Sequence, residues 1–424
     1  MTSIDRSGRG ARNRATRRLV LACCVLSAVF LACGHAQDAP PHSFATAVSN
    51  GNIGVDLRYR YEHVDQDSFV NTAEASTLRL RLNYETLPFF DFQGFIEFDY
   101  VAELLVCDYN SGGGTSPGRT QFPVVADPDG ADLNQLFVDF NGIQDTALRL
   151  GRQRILLDNQ RFIGGVGWRQ NEQTYDGATL KFTGMQNTSI HYSYLTRVNR
   201  IFGDASPVGR NDSNTHLLNA KLSLPETWTL TAYAYRIDDD DVAAFSTLTF
   251  GARVAGTVPV GERRVSVGGE YASQSDVAHA PVDYRAAYYR FDAAMPLTDI
   301  VSASIGVESL GGDRDAGGKA FRTPLATLHA FQGWSDQFLN TPDAGVDDVF
   351  VTVDVNPAPW KLSATWHQFG AADGGGDWGS ELDVSAAYKF AERYSLLLKT
   401  AVFNADDPAF SDTRKFWLML TASY

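Results

Sequence analysis

Apolar and polar residues alternate through Leu78-Arg79-Leu80-Arg81-Leu82-Asn83-Tyr84, with leucine and arginine exchanging over the first five. A strand turns successive side chains to opposite faces, so this segment predicts a half-buried strand with one apolar and one charged face. The same alternation recurs from Val55 to Tyr424, and helical periodicity is rare. Strand segments come in pairs joined by tight turns at Leu87-Pro88, Asn141-Gly142, 184–187, 225–227, 259–262, 296–299, 356–359 and 391–393. Between the pairs lie longer, polar, Gly- and Asp-rich stretches at 65–76, 108–132, 154–175, 197–214, 237–244, 272–282, 308–346, 370–379 and 404–414. Eight turns and nine loops connect about 18 strands. Short turns at one end and long loops at the other predict an all-β fold, a transmembrane antiparallel up-and-down β-barrel. A secreted propeller also has many short strands, but it would carry a repeat of about 40 to 50 residues, and the chain has none.

The N-terminus agrees with that destination. Six arginines precede an apolar run over 19–32, and Cys33-Gly34-His35-Ala36 then leads into Gln37. That order reads as a signal peptide cut after Ala36. Phe30-Leu31-Ala32-Cys33 is a loose match to a lipoprotein site, with Phe where Leu is usual. Thr16-Arg17-Arg18 resembles a twin-arginine signal. That route carries folded proteins, however, so the arginines read as ordinary leader charge. The expected division is a signal peptide at 1–36, a short periplasmic segment at 37–54 and the barrel at 55–424. The six arginines and Asp5 leave with the leader, so 36 cations and 50 anions become 30 and 49, a net charge of −19. Bulk charge of that sign excludes a nucleic-acid binder. Only Cys107 would remain in the mature chain, so no disulfide framework is expected within it. No apolar run after the leader reaches the roughly 18 residues of a spanning helix, so membrane entry must be by strands. The last segment, Lys415-Phe416-Trp417-Leu418-Met419-Leu420-Thr421-Ala422-Ser423-Tyr424, alternates and ends on an aromatic, the kind of terminal strand that barrel assembly machinery recognises. Outer-membrane lipid and lipopolysaccharide are the expected surroundings.

Lipid contact sends the apolar face of each strand outward, so the alternate residues must line the lumen. This rule turns Asp56, Arg58, Arg60, Glu62, Arg79, Arg81, Arg149, Lys181, Lys221, Arg290, Lys361, Lys389 and Lys399 inward. Glu97, Asp99, Asp139, Asp292, Asp354 and Asp383 join them, so the wall is mixed in sign. Alternation stops after Arg152, where the chain reads Arg152-Gln153-Arg154 and then Asp158-Asn159-Gln160-Arg161-Phe162. It continues through Gly167-Trp168-Arg169-Gln170-Asn171-Glu172 to Tyr175-Asp176. Guanidinium groups bind carboxylates bidentately and amides bond hydroxyls, so this loop could fold inward and grip an acidic sugar. The other reading is an internal plug held by ion pairs of Arg161 or Arg169 with Asp158 or Asp176. Two acidic stretches, Asp238 to Asp241 and Asp373 to Asp377, read as solvated loops, since neither follows a calcium-loop pattern.

The stretch from Leu150-Gly151-Arg152-Gln153-Arg154 to Tyr175-Asp176 resembles the alginate export family of outer-membrane proteins. Thr323-Pro324-Leu325-Ala326-Thr327-Leu328-His329-Ala330-Phe331-Gln332-Gly333-Trp334, with Asp336 and Phe338-Leu339, is a second block of likeness, and Lys415 to Leu420 a third. The resemblance implies a monomeric 18-stranded barrel whose arginine-lined pore conducts an anionic polyuronate outward.

The residues expected to meet such an anion are Arg79, Arg81, Arg149, Arg152, Arg154, Asp158, Asn159, Arg161, Arg169, Asn171, Lys181 and Arg290. The expected partner is an anionic polysaccharide or a small anionic solute, and no cofactor or metal is implied. A general porin-like diffusion channel for small polar solutes is the alternative. A barrel enzyme would need a nucleophile and base. Seven histidines follow the leader, yet the chain has no His-Glu-x-x-His motif, and its one Gly-x-Ser-x-Gly spacing, Gly114 to Gly118, falls in the polar stretch 108–132 and not at the strand-to-helix turn a nucleophile elbow needs. His329 and His367 read as structural.

Overall fold

The computed structural model describes residues 43–424, and the expected signal peptide lies outside the described residues. A short helix, α1 (Phe44–Ser49), opens the described chain, with the Ser43 hydroxyl accepting from the Thr46 N–H at 3.1 Å as its N-cap. Eighteen strands follow. In chain order they are β1 (Asn52–Gln66), β2 (Ala73–Glu85), β3 (Phe92–Asp108), β4 (Gly130–Ile143), β5 (Thr146–Gln153) and β6 (Thr174–Met185). Next come β7 (Thr188–Asn199), β8 (Arg210–Ser223), β9 (Thr229–Ile237), β10 (Thr247–Val260), β11 (Arg263–Asp276) and β12 (Arg285–Pro296). The last six are β13 (Val301–Leu310), β14 (Val346–Val355), β15 (Trp360–Gly370), β16 (Asp377–Phe390), β17 (Tyr394–Ala405) and β18 (Thr413–Ser423).

Each strand pairs antiparallel with its sequence neighbours, and β1 pairs with β18, so the sheet closes and leaves no edge. Val55 and Tyr424 exchange backbone hydrogen bonds of 3.0 and 2.8 Å at the seam, which gives the terminal aromatic residue a place in the ladder. Sequence and structure agree on the count of 18 and on alternating short and long connections. The β4–β5 reversal falls at Gln144 and Asp145, beyond the expected Asn141-Gly142, with Asp145 at a φ of 55°. No helix among the described residues is long and apolar enough to cross a membrane. The strands carry the apolar surface instead, and Phe98, Leu150, Phe250, Phe291, Ile305 and Leu382 lie exposed along the outer wall. Apolar area on this scale would be an aggregation hazard in water, and lipid is the solvent that suits it.

Residues directly opposite one another on paired strands share a face, so the register tests the inward assignment. Asp56 stands opposite Arg81, Arg81 opposite Asp99, and Asp139 opposite Arg149. On the far wall Glu270 faces Arg290, Arg290 faces Glu308, and Glu308 faces Asp348. Lys399 lies opposite Trp417, which in turn lies opposite Glu62. These charged positions share the inward face of the closed sheet, while Leu57 and Leu80, opposite one another, lie on the other face.

Two loops enter the lumen. The β5–β6 loop (154–173) and the β13–β14 loop (311–345) meet in a short parallel bridge of Ile163 and Leu325, where the Gly164 N–H donates to the Leu325 carbonyl at 2.8 Å. Ile155, Leu157, Phe162 and Ile163 of the first loop pack with Phe321 and Leu325 of the second against Tyr233, Tyr235 and Tyr288 of the wall. Burial of this apolar cluster explains why a polar-looking loop leaves solvent for the barrel interior.

Candidate functional site in the lumen

The arginines of the β5–β6 loop and its neighbouring strands are committed to carboxylates and backbone carbonyls. Arg58 donates to Gln170 Oε1 at 3.0 Å, to the Gly167 carbonyl at 2.9 Å and to the Arg169 carbonyl. Arg60 donates to the Trp168 carbonyl, lies 4.2 Å from the Trp168 ring centroid and pairs with Glu62 at 2.7 Å. Two wall guanidinium forks thus hold the loop segment 167–170, and Asp127 completes the grip by accepting from the Gln170 N–H at 2.7 Å.

Each expected site residue has a definite place. Arg79 pairs with Asp56. Arg81 meets Asp99 at 2.6 Å and Glu172 at 2.9 Å. Arg149 is held by both oxygens of Asp139 at 2.6 and 2.7 Å and stacks 3.7 Å above Phe137. Arg152 pairs with Asp176 at 2.8 Å, and Arg154 with Glu172 at 2.5 Å and Glu97 at 3.2 Å. Arg161 reaches across to Glu308 at 2.9 Å, with Thr323, Gln332 and the Phe331 ring around it. Arg169 lies 3.1 Å from Glu62 and 3.4 Å from Asp336. Arg290 pairs with Asp292 at 3.2 Å.

The remaining four are polar neighbours of this network. Asp158 accepts from Asn219 at 2.7 Å and lies 3.5 Å from Lys221. Asn159 Oδ1 accepts from the Arg161 N–H at 3.1 Å, and Asn171 is buried beside Arg152 and Glu172. Lys181, in contrast, has no ion-pair partner among the described residues. The expected pairs of Arg161 or Arg169 with Asp158 or Asp176 are therefore corrected to Glu308, Glu62 and Asp336. Proximity in sequence suggested the former, and barrel closure supplied the latter.

The β13–β14 loop is fixed from both sides. Gln332 donates to Glu308, the Trp334 N–H to Asp383 at 3.1 Å, and the Ser335 N–H to Glu381 at 2.7 Å. Its Asp336 faces the other way, to Lys415 at 2.7 Å and to His329 Nδ1 at 2.7 Å. Lys399 then donates to His329 Nε2 at 2.7 Å from among three tryptophans, with ring centroids at 3.6 Å (Trp334), 4.2 Å (Trp168) and 5.2 Å (Trp417). Trp168 and His329 stack 4.7 Å apart, which joins the two inward loops. Sequence reading missed Asp127, Glu308, Glu381 and Lys415 as anchors. Alternation could have turned Lys415 inward, two residues before Trp417, whereas Asp127 lies in a loop without periodicity.

On the turn side of the β5–β6 loop a cavity of about 160 Å³ opens between the loop's entry and strands β4 to β7. Arg149, Arg154 and Lys181 line it with a single carboxylate, Asp139, and with Gln153, Thr179 and His191. A smaller space on the long-loop side is lined by Asp99, Asp132, Arg152, Glu172, Arg200 and Asp204. No group of three or more His, Cys, Asp or Glu side chains among the described residues is arranged to hold a metal ion.

Comparison with solved structures finds the same architecture in outer-membrane proteins of low sequence identity. Pseudomonas aeruginosa OccK3 (OpdO) aligns with a TM-score of 0.66 and 13% identity over 90% of this chain and 97% of its own. Acinetobacter baumannii OccAB4 gives 0.69 and 12% over 88% and 97%. Pseudomonas aeruginosa OpdK, solved with vanillate, gives 0.64 and 13% over 88% and 98%. Comparison with curated proteins finds no match. The model of the Alginate export family matches residues 50–284, more than half of the chain. Strand count, closure and this match together place the protein in the outer membrane of a Gram-negative bacterium as a channel for solutes, and the chain belongs to the alginate export family.

Proposed function

We propose that the barrel passes an anionic polysaccharide, an alginate-like polyuronate or a related anionic solute, along the arginine-bearing side of its lumen. The observation that carries this reading is the convergence of Arg149, Arg154 and Lys181 on the cavity beside the β5–β6 loop, with one carboxylate among them. Conduction needs binding weak enough to release, repeated at several sites. Arginines already paired with carboxylates suit that need, because an incoming anion competes for donors without capturing a bare charge. The chain acts as a monomer in this reading, with each closed barrel enclosing its own lumen.

The test is reconstitution in a planar bilayer, with conductance, anion over cation preference and block by oligouronates measured together. Anion preference with oligouronate block is expected. Neutral replacement of Arg149, Arg154 and Lys181 should reduce both. Cation preference without block would remove the polyuronate and leave a general diffusion channel. Absence of conductance would remove the channel.

A further inference from the structure

We propose that the lumen contains a discrete binding site for a single-ring monocarboxylate on the turn side of the β5–β6 loop, with Lys181 as the residue that meets the carboxylate. The proposal rests on the anion reading above and specifies the ligand taken one unit at a time.

The wall of the site is fixed by register. Lys181 stands opposite His191 and Ala147, and Arg149 opposite Thr179 and Asp139, so these side chains share the inward face of adjacent strands. Three cations face one carboxylate, yet their donors are not equally available. Arg149 spends both arms of its fork on Asp139, and Arg154 is drawn to Glu172 and Glu97. Of the three, Lys181 is exposed and has no ion pair among the described residues, and an ammonium on a four-carbon stem can swing to meet an anion. The two arginines contribute field, and Lys181 contributes the contact.

The rest of the lining describes the ligand's body. Thr179 and His191 are joined through Ser193, with hydrogen bonds of 2.8 Å on each side, which sets a hydroxyl and an imidazole beside the ammonium. Across from them the loop offers Ile155 and Leu156, and Leu156 is half exposed. One polar wall and one apolar wall suit a ring bearing a single carboxylate. Size points the same way: an apolar cavity of roughly 150 Å³ accommodates benzene, and this one is about 160 Å³. A sugar acid and an aromatic acid share this chemistry, one ring and one carboxylate.

The experiment is calorimetric titration of the purified barrel in detergent with galacturonate and with benzoate, using galactose and benzyl alcohol as neutral controls. Saturable binding of at least one acid, absent for its neutral counterpart, is expected. Lys181→Gln should weaken it by about tenfold, the loss of one charge-assisted hydrogen bond. Lys361→Gln should leave it unchanged, since β15 lies nine strands round the ring from β6. Resistance to detergent unfolding before boiling confirms that each variant is folded. Galacturonate alone binding assigns selectivity to the hydroxyl side, and benzoate alone assigns it to Ile155 and Leu156. Either result supports the site. Failure of both acids to bind, or wild-type affinity in Lys181→Gln, overturns it. Bilayer conductance of the same preparation separates the two readings: anion conduction without acid binding keeps the channel and removes the site, and binding without conduction does the reverse.

Discussion

Arg161 and Glu308 are each 1% exposed and 2.9 Å apart, so neither charge has water to fall back on. Removing the guanidinium leaves the carboxylate buried without its partner, and Arg161→Met should destabilise the folded barrel by about 3 kcal/mol. Arg161→Lys should recover little, because one ammonium cannot reach Glu308, Thr323 and Gln332 together. Urea unfolding in detergent measures both. Two loop groups give the pH dependence its sign. Burial alone would raise the Glu172 carboxyl, but Arg81 and Arg154 hold it down at about 2. Its contribution is whole above its ordinary 4.5 and is lost as pH falls through about 2. Burial brings the His329 imidazole down to about 3, with Asp336 pulling the other way. A neutral His329 accepts from Lys399 and donates to Asp336, and that contribution fades as pH falls from 6.5 toward 3. Acid should therefore loosen the loops in two stages, His329 first. Acrylamide quenching of tryptophan fluorescence should rise through both, and Glu172→Gln should abolish the lower one.

The two inward loops act as one element because their backbones touch. Gly164 allows the approach: a Cβ there would lie 2.3 Å from Thr327 Oγ1 and 2.9 Å from the Thr327 nitrogen. Non-glycine residues at positive φ concentrate in the same loops, at Asp158, Gln160 and Val166 in one and at Gln332 and Asp336 in the other. A β-branched valine at 50° is costly in isolation and persists only where the surroundings fix it. Gly164→Ala should separate the loops while leaving the strands paired, and single-channel recording should show larger and noisier conductance. Unchanged traces would mean that this seam does not constrict the path. Of all this, the sequence disclosed that alternation stops after Arg152. It did not disclose that the β5–β6 loop would find the β13–β14 loop, since 161 and 323 are neighbours only through folded space.

Closure is the property of the whole molecule. The β1–β18 seam pairs eleven positions, from Asp56 with Ser423 to Gln66 with Thr413. Deleting Thr413 to Tyr424 would leave β1 and β17 with open edges and remove Trp417 and Lys415 from beside both loops. Backbone groups without partners cannot be left in hydrocarbon. The truncated chain should fail to gain the detergent resistance before boiling that is expected of the intact barrel, and recovery of that resistance would contradict the closure argument.

The sequence by itself determined the wall: strand after strand, a period of two fixed which residues meet lipid and which meet the lumen, and punctuation by turns and loops counted the strands. Those signals are local, set by backbone geometry over a few residues, so they survive without knowledge of the fold. Only the tertiary structure decided what the lumen charges do. Arg58 holds Gln170 and Arg161 holds Glu308 across more than a hundred residues of chain, while Lys181 has no ion pair among the described residues. Ring closure brings such groups together, and no pattern along the sequence records the distance across a barrel.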